Sequence, residues 1–356
     1  MHTATPAAGA ADLTAPWCTA ALAGVLGGGG GKVVDVSAAA VGNGLVADTF
    51  RLTLAYEPAE AGPTTVIAKV PAADDTSRLA ARLTGTYEVE SSFYRELAPT
   101  LPVRAPRCFD AAYDPATGDY HVLLEDAAPA EAADQLTGCS VADIEMAIDE
   151  LVLLQGPRWG DETLLDIGWL NRAQPPRLDD TATLVLQCVP PFLQRFGDRL
   201  EPSTVALIER LVPKLRASMH NRPRPWTIVH GDYRGDNLLF GGERAVVVDW
   251  QTVGAAPGTF DLTYLLGGSM VPELRRQHER DLVARYSEGI RAHGHDVDDE
   301  WVWTGYRRSS FGGLVMAIVA SALVRQTGRG DEMFLVMAER PAVQVADLDG
   351  ESLLVD

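Results

Sequence analysis

The spacing of apolar residues changes at Pro129, from a strand-like pattern before it to a helix-like pattern after it. Short β-type runs separated by Pro, Gly and Asp occupy residues 33–36, 49–56, 64–70 and 120–124, and one helical segment follows the third run at 77–97. After Pro129, apolar residues recur at helical spacing over 141–154, 178–196, 203–220, 274–293 and 300–324. This order predicts an α+β chain with a small strand-rich lobe and a larger, mostly helical lobe.

The first 31 residues are rich in Ala and Gly and end in five glycines, which predicts a flexible or helical N-terminal extension. A glycine run followed by Lys32 invites comparison with a phosphate-binding P-loop. That pattern would need Gly at position 26 and Ser or Thr at position 33, where the sequence has Leu26 and Val33. We therefore expect a connection here, with the small lobe at 32–126 and the large lobe at 127–356.

The charge balance argues against nucleic-acid and membrane partners. Thirty Lys and Arg against 49 Asp and Glu give a net charge of −19, which repels phosphate backbones and anionic lipid surfaces. The longest apolar run, 311–324, is interrupted by two glycines and is too short to span a bilayer. The four cysteines are far apart and have no C-x-x-C pair, so we expect a cytoplasmic protein. The sequence leaves its oligomeric state open.

A polar loop lies between two short buried-strand runs, 227–229 and 245–248, inside the helical half. Asp232 and Asn237 have the H-x-D-x-x-x-x-N spacing of kinase catalytic loops, and Asp249 comes directly after the second run. Phosphoryl transfer needs a carboxylate that accepts the proton of an incoming hydroxyl, and hard oxygen ligands for Mg²⁺. Each acid alone would be an ordinary turn residue. The complete pattern predicts a phosphotransfer site.

Lysine is rare in this chain and occurs at three positions. Lys69 lies in a short apolar strand, 66–70, and Glu90 lies in the helical segment that follows. A strand lysine is commonly a solvated edge charge. Combined with the polar loop, Lys69 is instead predicted to reach nucleotide phosphate oxygens while Glu90 pairs with it.

Six blocks of sequence together resemble the aminoglycoside phosphotransferase and choline kinase superfamily, with a closer likeness to its ecdysteroid-kinase-like branch. The blocks are 42–44 with 49–52, 68–72, Glu90 with 93–97, 123–126, 230–237 and 248–262. The resemblance implies a bilobal, protein-kinase-like fold with an antiparallel sheet in its N-terminal lobe. It also implies a kinase that transfers the γ-phosphoryl of ATP, or of GTP, to a hydroxyl of a small metabolite or antibiotic with Mg²⁺.

Carried over residue by residue, the resemblance makes Asp232 the catalytic base and Asn237 and Asp249 the Mg²⁺ ligands. Lys69 becomes the phosphate lysine, oriented by Glu90.

For Arg234 two roles remain open, a contact with the γ-phosphate or an internal pair with Asp236.

The resemblance also assigns the nucleotide-covering turn and the hinge. Gly42, Asn43 and Gly44 would form the turn, and the main chain at Glu125 and Ala127 would pair with the purine edge.

Two residues depart from the family pattern, and two others are expected to support the catalytic loop. Gln251 stands where many relatives have a second acid, and Gln155 stands where they usually have a histidine. We expect His230 and Asp261 to hold the catalytic loop, with Asp261 as a helix N-cap.

Two other functions stay open at this point. One is a nucleotide-binding, pseudokinase-like scaffold or regulatory protein, for which Gln251 is the one hint, and the other is the same fold activating a carboxylate or an amine. Aromatic residues of the helical half either line an acceptor pocket or pack in the core: Trp159, Trp169, Trp301, Trp303 and Tyr306. Few acids accompany them, which favours an uncharged acceptor over a polycationic one.

Overall fold

The computed structural model describes residues 4–26, 30–42, 46–170, 177–323 and 328–354. The chain separates into two compact units. The sheet unit comprises Met1–Thr100, Ala105–Pro129 and Val248–Thr252. The helical unit comprises Leu101–Arg104, Ala130–Val247 and Val253–Asp356. The short segment that carries Asp249 therefore belongs to the sheet unit, although the chain on both sides of it belongs to the helical unit.

The sheet unit contains an antiparallel sheet with the strand order β1-β2-β3-β5-β4. Its elements are α1 (Ala15–Ala21), β1 (Lys32–Ala40), β2 (Ala47–Glu57), β3 (Thr65–Pro71), α2 (Asp75–Thr84), α3 (Thr86–Ser92), β4 (Cys108–Tyr113) and β5 (Tyr120–Glu125). Val66, Ala68 and Val70 of β3 are fully buried. Because alternate strand residues face opposite sides, Lys69 lies on the other face of the sheet from these three.

Two elements of the sheet unit differ from the sequence pattern. The predicted helix at 77–97 is divided at Gly85, whose left-handed φ of 67° ends α2 and lets its N–H bond to Ala81 O. Strand β4 was not predicted from the sequence, and its register with β5 shifts between Cys108 and Asp110.

The N-terminal residues that the structure describes form part of the core of the sheet unit. Residues 4–26 include α1, and Ala4, Cys18 and Leu22 are buried in the same apolar cluster as Leu52 of β2. This segment is also hydrogen-bonded to the sheet, since Tyr120 N donates to Ala7 O over 3.0 Å.

The helical unit combines helices with two small antiparallel sheets, β10-β7 and β6-β8-β9. Its elements are β6 (Glu131–Ala132), α4 (Val141–Gln155), α5 (Arg177–Phe196), α6 (Pro202–Leu211), α7 (Leu215–His220), β7 (Trp226–Val229), β8 (Leu238–Phe240), β9 (Val246–Val247), β10 (Gly254–Pro257), α8 (Thr259–Ser269), α9 (Pro272–Ala292), α10 (Asp299–Arg308), α11 (Gly312–Leu323) and α12 (Gly328–Asp347). Its main apolar cluster draws on α5, α6, α11 and α12.

The predicted fold class is confirmed: an antiparallel-sheet unit and a larger, mainly helical unit make an α+β chain. The two long predicted helices at 203–220 and 300–324 are each interrupted by a 3₁₀ turn, at Val212–Lys214 and at Ser309–Phe311. Helix α12 lies beyond the predicted elements. Over the described ranges, no helix combines the length and apolarity needed to cross a membrane.

Candidate active site

Lys69, Glu90 and Asp249 form a partly buried charge cluster in the sheet unit, in which Glu90 is the buried member. Lys69 Nζ lies 2.6 Å from Glu90 Oε1 and 2.8 Å from Asp249 Oδ1. Burial alone would lower the pKa of Lys69, but the charges of Asp249 and Glu90 outweigh burial and raise it. Burial raises the pKa of Glu90, opposed by the Lys69 charge. Two carboxylates around one ammonium carry a net negative charge, which a bound cation would balance.

Two aromatic side chains hold this cluster in place. Tyr120 of β5 donates its hydroxyl to Glu90 Oε2 over 2.6 Å, and its ring stacks on Tyr87 with 4.5 Å between centroids. Phe93, at the end of α3, stacks on Trp250 with 3.9 Å between centroids. The contacts of Tyr120 and the stacking of Phe93 on Trp250 have no sequence signature, because each joins residues that are far apart along the chain.

Asp249 has a backbone conformation that residues other than glycine rarely adopt. Its φ is 67°, in the left-handed region. One carboxylate oxygen accepts from Lys69 and the other, Oδ2, accepts from Gln251 Nε2 over 3.2 Å. Gln251 thus contacts the expected metal ligand through its amide nitrogen.

The residues expected at the turn and the hinge occupy the sheet unit. Gly42 follows β1 with φ 72°, while Asn43 and Gly44 lie outside the described residues. Glu125 ends β5, and its N–H donates to Arg107 O over 2.8 Å. Within the described part of the chain, no hydrogen bond engages the main chain of Ala127, so its N–H and C=O are open to a ligand.

In the helical unit, three side chains donate hydrogen bonds to the carboxylate of Asp232. Tyr264 Oη and Arg234 Nε contact Oδ1 at 2.8 and 3.2 Å. Asn237 Nδ2 contacts Oδ2 at 2.9 Å and also donates to the Asp232 main-chain O. The sequence predicted the proximity of Asp232 and Asn237. It did not predict Tyr264, although Tyr264 stands one helical turn after Asp261 in the sequence.

Arg234 makes the internal pair that the sequence left as one of two alternatives. Its guanidinium bonds both Asp236 and Asp232, and its side chain is 12% exposed. Burial would lower the pKa of Arg234, but the Asp232 charge and other acidic neighbours outweigh it and raise the pKa. Asp236 in turn accepts from Gln135 N over 3.1 Å, which ties the loop to the segment before α4.

His230 and Asp261 fix the shape of the catalytic loop, as predicted. Asp261 accepts from His230 N at 2.6 Å and from Gly231 N at 3.0 Å, and His230 Nδ1 accepts from Asp232 N at 3.3 Å. Gly231 has φ 84°, which a side chain would strain. The N-cap role of Asp261 is wrong: α8 begins at Thr259, so Asp261 lies inside its first turn and its carboxylate is turned to the loop.

The buried Asp261 carboxyl predicts a specific pH dependence of stability. Burial raises the pKa of Asp261 from 3.8 to about 7, so the folded protein retains a proton that the unfolded chain loses between these values. Its stabilising contribution is present below the unfolded pKa and is lost as pH rises through the folded one. Between about pH 5 and about pH 8, the free energy of unfolding should fall by about 3 kcal/mol relative to Asp261→Asn. Urea unfolding of both proteins tests this, and an unchanged difference would contradict it.

The aromatic residues of the helical half pack mainly in the core. The residues in question are Trp159, Trp169, Trp301, Trp303 and Tyr306. Trp159, Trp303 and Tyr306 are buried. The Arg280 guanidinium lies 3.3 Å from the centroid of the Trp303 ring, and Tyr306 Oη donates to Glu279 over 3.0 Å. These three residues offer little aromatic surface to an acceptor, whereas Trp169 and Trp301 are half-buried. The preference for an uncharged acceptor stays a prediction.

The expected metal ligands have the chemistry that Mg²⁺ requires. The NH₂ group of Asn237 is used by Asp232, which leaves its amide oxygen as the atom able to bind a cation. Asp249 offers a carboxylate in a cluster with excess negative charge. In the portion of the chain that the structure describes, no group of three or more His, Cys, Asp and Glu could share a metal ion. One carboxylate and one amide from the protein fit Mg²⁺, which commonly keeps water and phosphate ligands.

Comparison with solved structures places the fold among the kinase-like proteins. A Ralstonia eutropha JMP134 protein assigned to the aminoglycoside phosphotransferases is 15% identical, with a TM-score of 0.51 over 88% of this chain and 93% of that chain. Choline kinase from Cryptosporidium parvum Iowa II is 10% identical, with a TM-score of 0.54 over 89% of this chain and 90% of that chain. Identities this low show a shared fold alone. No protein with a curated description matches the chain.

A sequence model of one protein family supplies the stronger finding. Residues 59–301 match the model described as the phosphotransferase enzyme family, which is more than half of the 356 residues. The match includes Lys69, Glu90, the loop 230–237 and Asp249, and it confirms the resemblance at the level of the family. The closer likeness to the ecdysteroid-kinase-like branch stays a prediction. This chain belongs to the phosphotransferase enzyme family.

Proposed function

We propose that this protein is a Mg²⁺-dependent small-molecule kinase that transfers the γ-phosphoryl group of ATP to a hydroxyl, with Asp232 as the general base. The observation that carries the proposal is the carboxylate of Asp232, which is 16% exposed and oriented by three hydrogen-bond donors on a loop with kinase spacing. A base in this position orients the acceptor hydroxyl and takes its proton.

The nucleotide belongs to the sheet unit in this proposal. Lys69, oriented by Glu90, contacts phosphate oxygens. The main chain at Ala127 pairs with adenine, together with the C=O of Glu125, whose N–H is bonded to Arg107 O. Gly42 stands in the turn that covers the phosphates. A net negative charge around Lys69 supports a Mg²⁺–nucleotide complex over a free nucleotide, because the free phosphates would repel the two carboxylates.

Asp249 and Asn237 would hold Mg²⁺. The metal, when bound, offsets the negative charge of the phosphates. The residues of the chain then do three things: Lys69 fixes the phosphates, Asp232 receives the proton, and Arg234 acts as a positioning residue through its bonds to Asp232 and Asp236. The γ-phosphate role considered for Arg234 is less favoured, because its guanidinium already bridges two carboxylates.

Removal of the Asp249 carboxylate should weaken the binding of Mg²⁺–ATP itself. Asp249→Ala removes one expected ligand and leaves the Lys69–Glu90 pair, so the Kd for Mg²⁺–ATP should rise at least about tenfold. Isothermal titration with ATP at fixed Mg²⁺ measures the change. Asp35→Ala, which changes an exposed acid of β1, is the control; equal affinities for Asp249→Ala and wild type would contradict the metal assignment.

The scaffold alternative has less support than catalysis. A pseudokinase needs no oriented base, yet Asp232 has three donors and Lys69 retains its buried partner Glu90. Gln251, the hint in favour of a scaffold, donates to Asp249 and keeps that carboxylate in place.

A direct screen tests the proposed function. The full chain with Mg²⁺ and ATP is incubated with neutral polycyclic alcohols, choline-like cations and aminoglycosides, and mass spectrometry detects the gain of one phosphate. We expect gain on a hydroxylated compound with wild type and none with Asp232→Asn. Phosphate gain on a carboxylate or amine would favour the alternative chemistry. The absence of both ATP binding and phosphate gain would contradict the proposal.

A further inference from the structure

We propose that Tyr264 is a positioning residue for Asp232, an inference that rests on the proposed function. Together with Arg234, Tyr264 saturates carboxylate oxygen Oδ1, so that the proton of the acceptor hydroxyl is received by Oδ2.

The contact itself is short and buried. Tyr264 lies on α8 with 4% of its surface exposed, and its Oη is 2.8 Å from Asp232 Oδ1. Burial, reinforced by the Asp232 charge, raises the pKa of Tyr264 well above its ordinary value. The phenol therefore stays protonated and donates to the carboxylate.

Counting donors identifies the open position on the base. A carboxylate accepts about four hydrogen bonds, two at each oxygen. Oδ1 of Asp232 receives Tyr264 and Arg234, whereas Oδ2 receives Asn237. Across the described ranges, no other side chain donates to this carboxylate, so the remaining acceptor position is on Oδ2.

Helix α8 holds the catalytic loop at two points. Asp261 and Tyr264 are three residues apart, which puts them on one face of the helix. Asp261 binds the main chain of the loop at His230 and Gly231, and Tyr264 binds the side chain of Asp232. One rigid element thereby fixes both the path of the loop and the orientation of its carboxylate.

Packing around the Tyr264 ring keeps the hydroxyl in place. The ring lies nearly parallel to that of Phe260, with centroids 6.4 Å apart and 20° between the planes. A Cβ at Gly313 would lie 2.6 Å from Pro341 Cγ and 3.4 Å from Tyr264 Cδ2, so glycine permits close approach on this side. The phenol is preorganised rather than recruited by the substrate.

The chemical step balances with this assignment. A bond forms between the acceptor oxygen and the γ-phosphorus while the bond to the β–γ bridging oxygen breaks, and its electron pair leaves on ADP. The proton passes from the acceptor oxygen to Asp232 Oδ2. Tyr264 and Arg234 keep their bonds to Oδ1 and hold the carboxylate plane during the transfer.

A kinetic comparison tests the positioning role. Tyr264→Phe removes one hydroxyl, and we expect kcat to fall by about 10- to 100-fold while the KM for ATP changes less than about twofold. Tyr306→Phe is the matched control, because Tyr306 is also a buried phenol of the helical unit that donates to a carboxylate, that of Glu279. The control should retain wild-type kcat. If Tyr264→Phe keeps the wild-type kcat while Asp232→Asn is inactive, the positioning role of Tyr264 is overturned and the proposed function stands.

A second measurement does not depend on activity. In urea unfolding, Tyr264→Phe should raise the unfolding equilibrium constant about tenfold in the wild-type background, because the lost hydrogen bond involves a charged acceptor. In the Asp232→Ala background the same change should have less than about a twofold effect. Equal effects in both backgrounds would overturn the inference. If wild type transfers no phosphate, the proposed function fails. The comparison of Tyr264→Phe in the two backgrounds still decides whether Tyr264 holds Asp232.

Discussion

Asp232→Asn will lower the rate of phosphate transfer by on the order of 10² to 10⁴ and leave the affinity for ATP nearly unchanged. Asparagine has the same shape, so the loop keeps its bonds to Asp261, but it cannot take the acceptor's proton. Its amide NH₂ would also face the donors Tyr264, Arg234 or Asn237 in place of an accepting oxygen. Catalysis therefore suffers through both proton transfer and orientation.

Single-turnover rates and ATP titrations on the same preparations separate these effects. Asp149→Asn is the control, because Asp149 is an exposed acid of the helical unit that pairs with Arg285. This control should match wild type in both measurements. A modest loss of rate accompanied by an equal loss of ATP affinity would contradict the role of Asp232 as base.

Lys69→Ala will raise the KM for ATP about tenfold and lower kcat by on the order of 10². The change removes the ammonium that contacts Glu90 at 2.6 Å and Asp249 at 2.8 Å, and it leaves the buried Glu90 carboxylate without this countercharge. Glu90→Ala should reproduce part of the loss, because the lysine is then held by Asp249 alone.

The double variant Lys69→Ala with Glu90→Ala distinguishes one shared contact from two independent ones. Its loss should be much smaller than the sum of the single losses, since both changes act on one phosphate contact. Lys32→Ala is the control, because Lys32 forms an exposed pair with Glu57 in the same unit. Strictly additive losses, or a Glu90→Ala protein with wild-type kinetics, would contradict the pairing.

The candidate site was predictable from the sequence where its residues lie close together along the chain. Asp232 and Asn237 are five residues apart in one loop, and the structure joins them directly. Residue spacing alone carries this kind of information because the local backbone determines the distance. Lys69 of β3 and Glu90 of α3 have α2 between them and also meet as predicted. That prediction came from the kinase-like order of residues along the chain.

Contacts between distant elements were not predictable in the same way. Tyr120 reaches Glu90 from β5, and Tyr264 reaches Asp232 from α8, and a tyrosine has no pattern that reports its hydrogen-bond partner. The N-cap of α8 was misjudged by three residues, since it is Gly258 and not Asp261. Helix starts are set by local capping contacts that a propensity pattern does not resolve.

The fold followed the sequence where hydrophobic periodicity was regular. The strands around Lys69 and the helices after Pro129 lie close to their predicted ranges. Strand β4 escaped prediction because Asp110, in its centre, is buried and accepts hydrogen bonds from Ala4 N and His121. A buried carboxylate with tertiary partners does not fit an alternating apolar pattern.

The fate of the γ-phosphate tests the central claim most directly. ATP labelled with a heavy oxygen isotope in its γ-phosphate is mixed with the full chain, Mg²⁺ and a hydroxylated acceptor from the screen, and the products are analysed by mass spectrometry. The account predicts that the labelled phosphate appears on an acceptor oxygen with wild type, and that Asp232→Asn binds ATP but transfers the label on the order of 10² to 10⁴ times more slowly. Equal transfer by both proteins, or bound Mg²⁺–ATP with no transfer to any hydroxyl, would contradict it.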